Sequence, residues 1–153
     1  MAQRRSGAAQ RLAEEGVSRA ALVVLALMAA LHARAGDDCG AALKTLKPWV
    51  AAADGVRIAF VSRPTPVPVG RHFDIEFVVC STAAVRRDAA IQVDADMPAH
   101  RHGMNYRATV STSSPGVYRA SGLMFHMPGR WRVIFDLPLE GRTLQLTHEL
   151  EVQ

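Results

Sequence analysis

From Val56 to Val152, apolar and polar residues alternate with period two in run after run. Phe73, Ile75, Phe77 and Val79 fall on one side of a first run, with His72, Asp74 and Glu76 on the other. Ile91, Val93 and Ala95 alternate with Gln92, Asp94 and Asp96, and Tyr106, Ala108 and Val110 with Asn105, Arg107 and Thr109. Trp131, Val133 and Phe135 alternate with Arg130, Arg132 and Asp136. Leu144, Leu146, Leu150 and Val152 alternate with Gln145, Thr147, Glu149 and Glu151. Successive side chains of a strand point to opposite faces, so each run predicts a strand with one face in a core and one in water. Strands at this spacing predict an all-β fold, an immunoglobulin-like antiparallel β-sandwich of about seven strands.

The breaks between runs agree. Pro64, Pro66 and Pro68 remove three ladder donors, which makes that stretch an extended connection or a broken edge strand. Ser113-Ser114-Pro115-Gly116, Pro128-Gly129 and Glu140-Gly141 read as turns. Residues 36–55 read as an irregular N-terminal segment, in which Leu43, Leu46 and Val50 share a brief helical face that Pro48 interrupts. The sandwich domain is expected over residues 56–153.

Residues 1–35 stand apart. An uncharged apolar run at 20–31 comes after Arg4, Arg5, Arg11 and Arg19 and precedes Ala33-Arg34-Ala35, a small-x-small cleavage pattern. The run is short for a bilayer span, which needs roughly 20 residues, and fits the apolar part of a signal peptide. An uncleaved anchor, holding the protein to the inner membrane and facing the periplasm, is the other reading. The expected location is periplasmic or otherwise exported, with membrane contact only through an uncleaved leader. The leader's five Arg and two Glu carry +3 of the whole chain's +4, leaving +1 for the remainder. No Lys/Arg block survives there to track phosphates, so nucleic acid is excluded as an expected partner.

Cys39 and Cys80 are the only cysteines, and both lie after the cleavage pattern. In a small exported domain such a pair reads as one disulfide. Two free thiols, or a thiolate ligand at Cys80, is the alternative. In the register of the Phe73 run Cys80 falls on the polar side, so a bond there would tie the N-terminal segment to the outside of a sheet.

The candidate chemistry lies in two clusters, Met97-Pro-Ala-His100-Arg-His102-Gly-Met104 and Met124-Phe-His126-Met127-Pro-Gly129. If the intervening strands run antiparallel in chain order, both clusters reach the same pole of the sandwich. At opposite poles a strand's length, about 26 Å, would separate them. Thioether sulfur is soft and favours Cu(I), while imidazole suits copper, zinc and nickel. Structural zinc usually recruits paired thiolates, which are absent. The expected ligands are His100, His102, Met104 and His126, with Met97, Met124 and Met127 as further candidates and a copper ion as the bound species. Asp94 and Asp96 are candidate acceptors for an imidazole N–H. Met97 and Met104 also continue inward-facing registers, so a core role stays open for both. His148 reads as a core-edge histidine, His72 as a surface residue and Trp131 as core packing. The chain has no Gly-x-Ser-x-Gly elbow, no His-Glu-x-x-His and no Gly-rich phosphate loop, and is not expected to be an enzyme.

Several pieces together resemble the YtkA-like family of small exported β-sandwich domains, related to the FixH-like proteins. They are Pro-Val-Gly-Arg-His-Phe73-Asp-Ile-Glu-Phe77, the Met97–Met104 piece, Gly116-Val-Tyr118, and Gly122-Leu-Met-Phe-His126-Met-Pro-Gly129-Arg-Trp131. The resemblance implies an immunoglobulin-like fold, an envelope location and ties to copper or respiratory-oxidase assembly, with His100 and His102 on the characteristic loop. The spacing is also similar to that of periplasmic copper chaperones that bind through His and Met, although His126 is followed directly by Met127 rather than by His-x-Met. Two functions are expected on these grounds. One is an exported copper-binding carrier or chaperone with an envelope partner, a copper acceptor or an oxidase assembly factor. The other is a non-metal protein-interaction module of the envelope that works through Arg101, Asn105 or Arg107.

Overall fold

A computed structural model describes residues 39–44, 47–81 and 90–153. The expected leader over residues 1–35, with its signal or anchor helix, lies outside the described residues, as does Leu46. Among the described residues no helix is long and apolar enough to cross a membrane.

The described chain forms strands β1 (Trp49–Ala53), β2 (Val56–Arg63), β3 (His72–Ser81), β4 (Gln92–Met97), β5 (His102–Gly103), β6 (Thr109–Ser114), β7 (Val117–Met124), β8 (Gly129–Leu139) and β9 (Arg142–Val152). They form two antiparallel sheets, ordered β1-β2-β3-β7-β6 and β5-β4-β8-β9. One apolar core, built from both sheets, lies between them. At its centre Phe135 of β8 meets Phe60 of β2 at 5.1 Å and Phe77 of β3 at 5.3 Å between ring centroids. The antiparallel sandwich expected from the period-two pattern is therefore present, with nine strands among the described residues rather than about seven. In β9 the buried row Leu144, Leu146, Leu150, Val152 is interrupted by His148, which is only partly buried. That imidazole lies edge-on to Phe60, and its Nδ1 donates to the Val50 carbonyl of β1 at 2.9 Å. It satisfies a strand-edge carbonyl where β1 and β9 approach, the structural role its position suggested.

Three expectations need correction. The segment 36–55 is not wholly irregular: a short 3-10 turn at Ala41–Leu43 leads into β1, which pairs with β2 along its whole length. Small Ala51, Ala52 and Ala53 gave that strand no contrast between faces. Strand β6 begins at Thr109, so Asn105, Tyr106 and Arg107 belong to the crossing between sheets, and Tyr106 is 45% exposed rather than inward. Finally, the chain does not descend directly from β4 into a neighbouring strand of the same sheet. It first turns back as the two-residue β5, then crosses to β6 in the other sheet.

Cys39 and Cys80 are bonded, which closes the alternative of a thiolate ligand at Cys80. Their bond lies on the outer face of β3, beside a small second apolar cluster of Leu43, Ala59, Val61, Val78 and Val117. The outer face is thus covered by the N-terminal segment, and the disulfide fastens that cover. Replacing both cysteines by alanine opens a loop spanning 41 positions. It should destabilise the protein by about 3–4 kcal/mol, most of it through the unfolded chain. Urea unfolding monitored by far-UV circular dichroism would show a lower midpoint with an unchanged native spectrum.

Candidate metal centre

The geometry starts with the β4–β8 ladder, in which Ala95 pairs with Val133 and Asp96 with Arg132. This register brings the end of β4 level with the start of β8, so the residues just past Met97 and those just before Gly129 meet at one pole. The 98–101 turn closes with the His100 N–H donating to the Met97 carbonyl at 3.0 Å, and Arg101 takes a left-handed φ of 54°. His102 then pairs with Met97 and Gly103 with Asp96, and the Met104 N–H donates to the Ala95 carbonyl at 3.0 Å. Thus His100 lies in a turn as expected, whereas His102 is held on a strand. Met97 passes beneath the other cluster: a Cβ on Gly129 would come within 2.9 Å of the Met97 methyl.

A bulge in β7 decides where His126 points. Phe73 pairs with Leu123 and Ile75 with Ala120, so β7 carries one residue more than β3 over this interval. Gly122 absorbs it at φ +89°. Before the bulge Ala120 faces the core; after it Leu123 and Phe125 do, each fully buried. Met124 and His126 are therefore turned outward. Uninterrupted alternation from Ala120 would have put them in the core instead.

Three imidazoles result at one pole. His102 lies between the other two, 5.7 Å from His100 and 5.0 Å from His126 by ring centroids. Beneath them is Trp131, fully buried, 6.1 Å from His102 and 5.3 Å from His126. Trp131 in turn stacks on Phe125 at 4.4 Å and 8°, and its indole N–H donates to the Met127 carbonyl at 3.0 Å. The indole is fixed on both its face and its polar edge, so His102 and His126 rest on a rigid floor. His100 and His126 are exposed; His102 is partly buried, and its Nδ1 is buried without a hydrogen-bond partner among the described residues. Such an unpaired polar atom costs about 1–3 kcal/mol, which a ligand at that nitrogen would recover.

The spacing suits a shared ion. A nitrogen bound at about 2.0 Å puts the ion about 3 Å from the ring centroid, so two imidazoles on one ion have centroids about 5–6 Å apart. Both adjacent pairs fall in that range. As the side chains stand, however, no group of three or more His, Cys, Asp or Glu among the described residues is arranged to hold a metal ion.

The methionines divide. Met97 is 2% exposed and belongs to the core, and Met104 and Met127 are partly buried against it. Met124 is partly buried on the outer face of β7. Among the described residues neither expected carboxylate hydrogen-bonds an imidazole. Both Asp96 oxygens are taken by the Arg132 guanidinium, and Asp94 Oδ1 accepts the Ala95 N–H at 2.7 Å. The hydrogen bonds that Asp96 accepts, reinforced by its charge, raise the Arg132 pKa further above its already high value. Two residues that shape the site were not read as such from sequence, Trp131 and Gly122. A glycine inside a strand pattern was the available sign of a bulge.

The family model described as YtkA-like matches residues 50–136. No curated protein matches the chain. Two solved structures are similar at 11% identity. One is a DUF4426 family protein from Pseudomonas aeruginosa PAO1, with a TM-score of 0.45, covering 69% of this chain and 98% of its own. The other is FetP of uropathogenic E. coli strain F11, with a TM-score of 0.43, covering 70% and 97%. At that level of similarity neither bears on fold or function.

Gly122→Ala tests the bulge. A Cβ there meets only the Arg107 carbonyl, at an ordinary 3.7 Å, so the cost comes from the left-handed backbone. The variant should lose about 1–2 kcal/mol in denaturant unfolding. The nuclear Overhauser contact between the His126 and His102 rings should weaken with it, as the bulge relaxes.

Proposed function

The chain belongs to the YtkA-like family, and from that premise we propose that it is an exported metal-binding module, a carrier for copper in the cell envelope. The observation that carries this reading is the row of three imidazoles, two of them on Trp131, with ligand-like spacing and a central nitrogen unpaired among the described residues. The disulfide supports an oxidising compartment, since such bonds persist outside the reducing cytosol.

The cargo would be Cu(I), which is content with few ligands and favours a mixed imidazole and thioether set. His102 supplies the fixed nitrogen. His100 and His126 are exposed, so their rings can turn onto the same ion by rotation about side-chain bonds. Met104, pinned through its N–H to Ala95, supplies a sulfur from the same hairpin. A site with two exposed ligands opens by losing one of them to an acceptor, so the ion passes by exchange without the sandwich unfolding. The acceptor would be an envelope protein, a copper-binding subunit or an oxidase assembly factor.

Exposed Tyr106, flanked by exposed Asn105 and Arg107 and close in sequence to Arg101, favours a second reading in which this crossing docks a protein without metal. The two readings differ in what the histidines do.

Cu(I) titration against a competing chelator separates them. His100→Ala combined with His102→Ala should weaken Cu(I) binding at least about tenfold, while Arg101→Ala with Arg107→Ala leaves it unchanged. Binding no tighter than adventitious in the wild-type protein would remove the copper reading. In a Trp49→Phe background, Cu(I) should also alter the fluorescence of Trp131, which forms the floor of the site.

A further inference from the structure

His72 earned no role from sequence, Met124 was only a further candidate ligand, and Tyr106 lies outside the core it was expected to join. The structure puts all three in one place. His72 of β3 and Met124 of β7 are direct cross-strand partners, and the next pair inward is Phe73 with Leu123. Phe73 and Leu123 are 2% and 0% exposed, so both face the core. Alternation then sets His72 and Met124 together on the outer face, with Cβ atoms about 4.5–5.5 Å apart. That separation lets an imidazole nitrogen and a thioether sulfur reach one ion. Tyr106 lies against the imidazole edge-on, at 4.9 Å and 79°, which steadies the ring plane and covers one side of it.

The pair also adjoins the histidine row. Met124 and His126 are two residues apart and both outward, because buried Phe125 lies between them. Along a strand that is a step of about 6.6 Å. From His126 the row continues to His102 at 5.0 Å and on to His100 at 5.7 Å. Nitrogen and sulfur donors thus run without a long gap from the outer face of one sheet to the hairpin tip of the other. The Gly122 bulge puts the run on the outside, since it turns both Met124 and His126 away from the core.

We propose that His72 and Met124 form a second station for a soft monovalent cation, Cu(I), beside the histidine row, through which the ion enters or leaves. The station rests on the copper reading above and extends it: a carrier with two adjoining stations hands its ion on by short steps between neighbouring donors. His126, within one strand step of Met124 and one ring contact of His102, is the donor both stations share.

The test uses Ag(I), which has the charge and filled shell of Cu(I) and no redox chemistry. Native mass spectrometry of the purified full chain should count about two Ag(I) per protein, and His72→Gln or Met124→Leu should each reduce this to about one. Leucine keeps the volume of methionine, and His72 is exposed, so both variants should fold. In the His100→Ala, His102→Ala double variant, Ag(I) should still shift the Met124 methyl signal in a carbon–proton spectrum. An unmoved Met124 methyl there, or wild-type stoichiometry in His72→Gln and Met124→Leu, would overturn the second station. If in that case a single ion still bound and was lost with His100 and His102, the first station would stand. A wild-type protein that binds no Ag(I) would sink both.

Discussion

When Asp96 pairs with Arg132 and Ala95 with Val133, the residues beyond each strand end have little choice of place. Met97 must turn back under Gly129, and the hairpin after it must pass over Trp131. The ladder is reinforced on its outer side by the Arg132–Asp96 ion pair and on its inner side by fully buried Ala95, Val133 and Trp131. A slip of β4 by one residue would turn Ala95 outward and Asp96 inward, so burial enforces the register strongly. Every distance among the three imidazoles depends on that register.

The pole combines rigid and yielding parts. Trp131 is gripped by Phe125 on its face and by the Met127 carbonyl at its nitrogen, and His102 is held on β5. His100 and His126 are exposed and sit just past the ends of regular pairing. A centre that must bind and release an ion benefits from this division. The fixed donor sets the position, and the exposed donors set how readily the ion departs. The Nδ1 of His102 fits the same logic: a buried nitrogen left without a partner among the described residues is ready for an ion.

Much of the fold was legible because its strands contrast sharply from face to face. Phe73, Ile75 and Phe77 of β3 and Trp131, Val133 and Phe135 of β8 are all buried, as period two requires. The meeting of the two clusters was legible too, although the chain reaches it through a hairpin and a crossing rather than a simple meander. Departures from regularity were the part that sequence did not show. Gly122 inserts one residue and reverses the facing of Met124 and His126, and the three alanines that end β1 are too small to reveal a face. Tyr106 imitated the alternation while lying in a crossing. Asp96 looked available to an imidazole because its partner, Arg132, is far away in sequence and adjacent only through the β4–β8 register.

The most direct measurement is X-ray absorption at the copper edge of the Cu(I)-loaded protein, wild type beside His102→Ala. The wild type should show imidazole scattering from nitrogen at about 2.0 Å together with a sulfur shell at about 2.3 Å, and the variant should lose much of the nitrogen signal. A nitrogen shell that is unchanged in His102→Ala, or a wild-type spectrum without imidazole scattering, would contradict the account.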